Sequence, residues 1–368
     1  MALLIAPTRP TTFVILFIAA AIGALVVSTR RPVEQATILI LLVGALATRY
    51  AIRTEVGSDV LDVTAAAIDR VLAGLNPYGV GYEESRPPGA PYPYGPLALL
   101  WYVPVAQLPR LAELLSASFI VSILALQGRF LGLAIYAAAP AFVHTSVDGS
   151  NDTTLGLLIA LTFLLASHRP VLAGAVLAGA VAFKLSALAW VPAFLVWGGW
   201  RVAAAFGGAS ILFWSPVLFL WGPAAFIQST AQANAIHRDM VWSLGAVLRD
   251  WLGDAAVRGL DTLRFAFGGA VAVLALLFVR TGDAAGAPDR AEAPGAFGRA
   301  GAPDRAVGLD RVIVVGTLVY LVTLFGGTWA TFAYFAAIAP VLCLRIDDWL
   351  GLPTMPLIER APAGASAE

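Results

Sequence analysis

Apolar runs of about 15–20 residues recur along almost the whole chain, and few folds accommodate such a pattern. About 20 residues of helix cross the hydrocarbon of a bilayer. Backbone polar groups in lipid must be satisfied within the chain, and a helix does this internally. Runs of this kind read as spans at Thr12–Ser28, Gln35–Ala51, Leu114–Gln127, Leu131–His144, Thr153–Ser167, Val171–Lys184, Leu185–Gly198, Val202–Trp221, Thr262–Val279, Val312–Gly326 and Ala330–Leu344. The expected fold is therefore all-α, a polytopic transmembrane bundle of about 11 spans. Composition leads to the same place. Only 12% of residues are charged and 59% are hydrophobic, with a mean hydropathy of +0.82. Soluble domains carry roughly 25% charged residues, so this chain has too little charge to cover a water-facing surface.

The same counts exclude several functions. A net charge of zero offers no general attraction to nucleic acid. One cysteine, Cys343, forms no intramolecular disulfide and no cysteine-based metal cluster. Walker, Gly-x-Gly-x-x-Gly, Gly-x-Ser-x-Gly and His-Glu-x-x-His motifs are all absent, so nucleotide hydrolysis and zinc-hydrolase chemistry have no support. No cofactor is expected, and no divalent metal is supported. Basic residues are nearly all arginine, with Lys184 the only lysine. That bias fits a GC-rich bacterial genome, and hence a bacterial plasma membrane.

Arginine placement sets the expected orientation, because short basic loops stay cytoplasmic. With the N-terminus outside, the inner loops hold Arg30 and Arg31, Arg129, Arg169, Arg201, the stretch from Arg280 to Arg311, and Arg345. The outer face then receives Arg53–Gly95, Val147–Asn151, the turn at Lys184, Gly222–Asp261 and Gly327–Trp329. Organisation follows. Residues 1–52 hold two N-terminal spans, and 53–113 form an outer loop with a surface helix and a re-entrant segment. Residues 114–280 make the transmembrane core. The stretch 281–311, with its repeated Gly-Ala-Pro-Asp-Arg, reads as a disordered cytoplasmic linker. Two spans fill 312–346, and 347–368 form a cytoplasmic tail.

The outer loop is the informative part. From Asp59 to Ala73, Leu61, Ile68 and Leu72 recur at helical spacing and Gly74 supplies a stop, which predicts an amphipathic helix lying on the membrane surface. Asn76-Pro77-Tyr78 reads as a turn, and the aromatic–proline cluster Pro91–Pro96 follows. Leu97–Leu108 contains Pro104 and is too short to cross, so it is expected to dip into the membrane and return.

Each candidate residue has a plain and a chemical reading. Asp59 is either the N-cap of the surface helix or a general base at the membrane boundary, with Asp62 one turn on as its understudy. Asp152 reads as an N-cap, which leaves Asp148 the better functional candidate in that turn. Lys184 faces outward against the charge bias, and ionisable residues within membrane segments are commonly functional; it reads as a phosphate-binding cation. His237 and Arg238 sit in the last large outer loop, where Arg matches phosphate oxygens bidentately.

Ala73-Gly-Leu-Asn-Pro-Tyr78, Tyr92-Pro-Tyr-Gly-Pro-Leu97, Asp148-Gly-Ser-Asn-Asp152 and the stretch from Ala173-Gly174 to Phe183-Lys184 occur in that order. Together they resemble the polyprenyl-phosphate-dependent membrane glycosyltransferases of the GT-C fold, most closely glycosyltransferase family 87. Gly95 stands where that pattern has the first of two prolines, and two spans rather than one precede Asp59. The resemblance implies inverting transfer of a mannose-like hexose or a pentose from a polyprenyl-phosphate donor to a hydroxyl of a lipid-linked or cell-envelope glycan on the extracytoplasmic face. It implies Asp59 as base, with Asp62 behind it, Lys184, Arg238 and His237 on the leaving phosphate, and Asp148, Tyr94, Asn76 and Tyr78 among the substrate contacts. The alternative from another class is a transporter or lipid flippase, whose mark would be inverted repeats with midplane charges; the sequence shows neither.

Overall fold

The computed structural model describes residues 31–51, 58–105, 109–236, 302–326 and 333–353, with shorter stretches between 243 and 273. The expected first span, His237, Arg238 and residues 281–301 of the expected linker lie outside the described residues. Helix dominates: α1 (Arg31–Ala51), α2 (Val60–Leu72), α3 (Pro96–Tyr102), α4 (Pro109–Leu126), α5 (Phe130–Ala138), α6 (Pro140–Thr145), α7 (Asp152–Ala166), α8 (Pro170–Phe183), α9 (Val191–Pro216), α10 (Pro223–Ile236), α11 (Ala302–Phe325) and α12 (Tyr334–Trp349). Among the described residues the only strands are β1 (Gly81–Tyr82) and β2 (Ala90–Pro91). They pair antiparallel, with Gly81 opposite Pro91 and Tyr82 opposite Ala90.

Prolines and glycines account for most departures from the expected spans. The run Leu131–His144 is two helices, because Ala139 is extended ahead of Pro140, as residues before proline tend to be. A short 3₁₀ helix (Leu185–Trp190), α9 and a π-helical turn (Val217–Trp221) follow one another without a loop. Gly199, at φ 69° and ψ −169°, breaks the helical path of α9 near the expected boundary between two spans. Helix α11 begins at Ala302, so residues 302–311, assigned to a disordered linker on composition, are helical.

Two compact units make up the chain. The first contains α1, most of α4, α5, α6, the start of α7, and α12 after Tyr334. Its short helices end among apolar side chains, and buried charged groups satisfy their ends. Both Asp347 carboxylate oxygens accept from the first turn of α5, at Leu131 and Gly132 (2.9 Å each). At the other end of α5, Arg49 donates to the carbonyls of Tyr136 (2.7 Å) and Ala137 (3.4 Å) and to the Ser146 hydroxyl (3.2 Å). Glu113 accepts from the backbone N–H (3.1 Å) and the hydroxyl of Thr154, in the first turn of α7. Small residues let the backbones touch. A Cβ on Gly132 would collide with the Cys343 carbonyl, and one on Gly156 would stand 2.5 Å from that of Ala336.

The second unit contains α2, the hairpin, α3, the rest of α7, α8 to α10 and α11. Helix α8 runs along α9, where a Cβ on Gly174 would stand 2.8 Å from the Val202 carbonyl. Trp190 lies against Gly316 and its ring meets Tyr320 at 5.0 Å, joining the 3₁₀ segment to α11. Among the described residues, two helical segments are long and apolar enough to cross a membrane, Leu185–Trp221 and Gly308–Phe325. Little of the first is buried, and Trp200, Ile211, Leu212, Phe219 and Leu220 all face outward. Water rarely covers an apolar face of that size, whereas lipid does.

The trans-cap on α5 is directly testable. Asp347→Ala should lower stability by about 1–3 kcal/mol, the usual penalty for losing a charge-assisted cap and leaving buried donors unpaired. Asp347→Asn, which keeps one acceptor oxygen, should lose less. Denaturant titration in detergent micelles measures both, and equal stability of the alanine variant would remove this role.

Candidate functional site

The second unit brings the loop motifs onto the end of α8. Helix α8 stops at Phe183, and Lys184 continues in an extended conformation (φ −149°, ψ 123°) before the 3₁₀ turn. That geometry swings the lysine out of the helical path. Its ammonium lies over two tyrosine faces, 5.5 Å from the Tyr94 ring centre and 5.2 Å from that of Tyr334. Cations within about 6 Å of a ring centre are attracted by its quadrupole, so the two rings help to hold the ammonium in place.

Gly95 explains how the loop comes so close. Its N–H donates to the Phe183 carbonyl (3.2 Å), and a Cβ there would collide with the carbonyl of Ala182. A proline at this position has no N–H to give and carries a ring into that carbonyl. The departure from the family pattern at Gly95 is thus the condition for this packing.

Asn76 and Tyr78 work within the loop. The Asn76 amide donates to the Trp221 carbonyl (2.6 Å), while its oxygen accepts from the Tyr78 N–H (2.9 Å). Tyr78 is buried and donates its hydroxyl to the Tyr94 carbonyl (3.0 Å). Its ring packs against Tyr92, Trp221 and Phe226 at 5.2–5.8 Å. Both residues implied as substrate contacts therefore position Tyr94, which is itself only half-buried.

Asp59 precedes α2, yet its side chain caps nothing there. Its Oδ2 instead accepts the backbone N–H of Arg86 (2.6 Å) at the tip of the β-hairpin. The capping reading of Asp59 is corrected: the carboxylate is half-exposed and held from outside its own helix. Ser85 fixes that tip, donating its hydroxyl to the Tyr82 carbonyl (2.6 Å) and accepting from the Ala90 N–H (2.8 Å). Asp62 is exposed on the water-facing side of α2. The apolar residues Leu61, Val63, Ala67 and Ile68 are buried, and α2 packs on α3. Of the expected apolar face of the surface helix, Leu61 and Ile68 thus meet protein, while Leu72 stays exposed.

The loop tyrosines are poor bases. Burial pushes the Tyr78 phenol up, and its neighbours Tyr92 and Tyr82 add to the effect. Burial pushes Tyr82 up to about 12, with Arg70 pulling the other way. Tyr92 is also raised by burial. All three remain protonated donors at neutral pH, so the loop's proton acceptors are its carboxylates.

Asp148 belongs to the first unit. It is buried, its Oδ1 accepts the Ser150 N–H (2.8 Å), and its Oδ2 lies 3.7 Å from His144 Nδ1. Asp152 is the first helical residue of α7, and the carbonyl of Asn151 before it accepts from Leu155 (3.3 Å), so the capping expectation for Asp152 shifts back by one residue. Among the described residues no group of three or more His, Cys, Asp or Glu is placed to hold a metal. Tyr334, Arg49, Glu113 and Asp347 are not among the candidate residues taken from the sequence. Their signal was available, since each is an ionisable group inside or beside an apolar run.

No protein-family model, curated protein or solved structure matches the chain. The family resemblance rests on the motifs themselves.

If Asn76 latches the loop to Trp221, Asn76→Ala removes both of its bonds and should destabilise the loop by about 1–3 kcal/mol. Hydrogen exchange should then quicken across residues 76–95 while α8 keeps its protection. Unchanged exchange in the loop would show that the latch is dispensable.

Proposed function

We propose that this chain is a multi-span membrane glycosyltransferase of GT-C type that takes a mannose-like hexose or a pentose from a polyprenyl-phosphate donor. The observation that carries the reading is the convergence on Lys184. Three sequence segments that resemble the family, Ala73–Tyr78, Tyr92–Leu97 and the run ending at Lys184, meet through the Tyr78–Tyr94, Gly95–Phe183 and Lys184–Tyr94 contacts. A cation held against aromatic faces at the end of an apolar helix suits a phosphate at the rim of a membrane.

In the proposed reaction a hydroxyl oxygen of a lipid-linked or cell-envelope glycan attacks the anomeric carbon as the bond from that carbon to the phosphate oxygen breaks. The acceptor's proton passes to Asp59, and the lipid phosphate leaves with the bonding pair. Charge grows on the phosphate in the transition state, where a preorganised cation lowers the barrier. Lys184 supplies it, with Arg238 and His237 as further contributors and Asp62 as the reserve base. No cofactor or metal enters the scheme. The active face is extracytoplasmic in a bacterial plasma membrane.

Asp59→Asn keeps an oxygen for the Arg86 N–H but cannot accept the proton. Transfer from a radiolabelled polyprenyl-phosphate sugar to membrane extracts should fall by roughly a hundredfold, within the usual range for a general base. Lys184→Ala should lose tenfold or more, or about 1.4 kcal/mol of transition-state stabilisation. Near-normal transfer by both variants would overturn the reading, whereas a dead Asp62→Asn beside an active Asp59→Asn would move the base one turn along α2.

Topology is checked separately. Ser85 is buried, so the exposed neighbour Glu84 is the better probe of the loop. In a Cys343→Ala background, Glu84→Cys should react with an impermeant thiol reagent in intact cells, and Ala300→Cys only after lysis. The reverse pattern would place Asp59 on the cytoplasmic face and remove the outward-facing donor site.

A further inference from the structure

The C-terminal end of α2 is finished by a turn that leaves two leucines uncovered. The N–H of Leu75 donates to the Arg70 carbonyl (2.8 Å) and that of Gly74 to the Val71 carbonyl (3.0 Å), with Gly74 at φ 74°. This pair of bonds around a left-handed glycine is the Schellman motif, in which the residue after the glycine usually folds its apolar side chain onto the last helical turn. Here the residues that would receive Leu75 are Asp69 and Arg70. Asp69 is exposed, and Arg70 turns its guanidinium to the Asn76 carbonyl (3.2 Å). Leu75 is accordingly 50% exposed and Leu72 68%, with exposed Ala73 and Gly74 between them.

What covers them follows from where the turn is tied. Asn76, the next residue, donates to the carbonyl of Trp221, the last residue of the long apolar segment Leu185–Trp221. In that segment's final turn Phe219 and Leu220 are each 77% exposed. Helix α10 leaves from the same corner with Ile227 also facing outward. One corner of the second unit thus carries uncovered leucines tied to the exposed end of a membrane-length helix, with Arg70 beside them. Arginine stems lie along apolar surface while the head stays with polar groups, as at a headgroup boundary.

We infer that the turn Leu72–Leu75 is a membrane-inserting tip, which seats Leu72 and Leu75 in the bilayer interface and so fixes the height of α2 and of Asp59 above the lipid. The partner is the lipid surface. The inference rests on Leu185–Trp221 being a membrane span and does not depend on glycosyl transfer. A helix of 13 residues is about 20 Å long, so Asp59 stands no farther than that from the anchored end.

Nitroxide labels on Leu72→Cys, Leu75→Cys, Leu212→Cys and Glu84→Cys, each in full-length Cys343→Ala protein, test this. The protein is reconstituted in vesicles of phosphatidylethanolamine and phosphatidylglycerol, and collision rates are compared for oxygen, which concentrates in lipid, and a water-soluble nickel chelate. The labels at 72 and 75 should favour oxygen over the chelate, as should the one at 212, while the label at 84 shows the opposite ratio. Labels at 72 and 75 behaving like the one at 84, with 212 still in lipid, would overturn this inference alone. A water-accessible label at 212 would overturn the membrane span itself, and this inference with it. Spin–spin broadening at 72 or 75 that disappears on dilution with unlabelled protein would assign the tip to a second copy of the chain, and would equally overturn it.

Discussion

Every helix that stops away from water leaves backbone donors at one end and acceptors at the other, and this constraint governs the first unit. Helix α5 is only 9 residues long, so nearly half of its backbone polar groups belong to an end. Asp347 meets its donors and Arg49 its acceptors, from helices far away in sequence. Each charge also matches the partial charge of the helix end that it meets. Glu113 does the same for α7. These ionisable groups lie within apolar helices because short, broken helices require them. Arg49 then needs no place in the arginine bias that sets topology, since its guanidinium is taken up by carbonyls and not by solvent.

The second unit holds the Lys184 ammonium over the faces of Tyr94 and Tyr334. Attraction between the ammonium and the two ring faces holds the side chain of Lys184 in place. The loop that delivers Tyr94 is itself tied down at Asn76, Tyr78 and Gly95. Rigidity in the loop supports placement of the cation, as a phosphate-stabilising role requires.

Much of this could be read from the sequence. Helical content and the turn at Asn76 follow from local patterns, which have a fixed period or a fixed stereochemistry, whereas the break before Pro140 divides what was expected as one span. Helix α2 was legible as amphipathic, but its partner was not, because periodicity identifies an apolar face without saying whether protein or lipid covers it. Asp59 shows the same limit. Its sequence neighbours favour an N-cap, and the hairpin tip that claims its carboxylate lies 27 residues on. Asp347 and Arg49 are further cases, since each has its meaning in a helix end that local sequence does not reveal. Residues 302–311 went the other way: their composition suggested disorder, and the helix of α11 extends through them.

Gly95 and Lys184 are linked through one contact, the approach of the loop to the end of α8. The loop can approach the end of α8 only while position 95 lacks a side chain and offers an N–H to Phe183. A descendant that acquired the proline of the family pattern would have to withdraw the last turn of α8, and Lys184 would move with it. The two positions are therefore expected to drift as a pair across lineages, so that chains with proline at 95 carry their cation on a different residue or a longer turn.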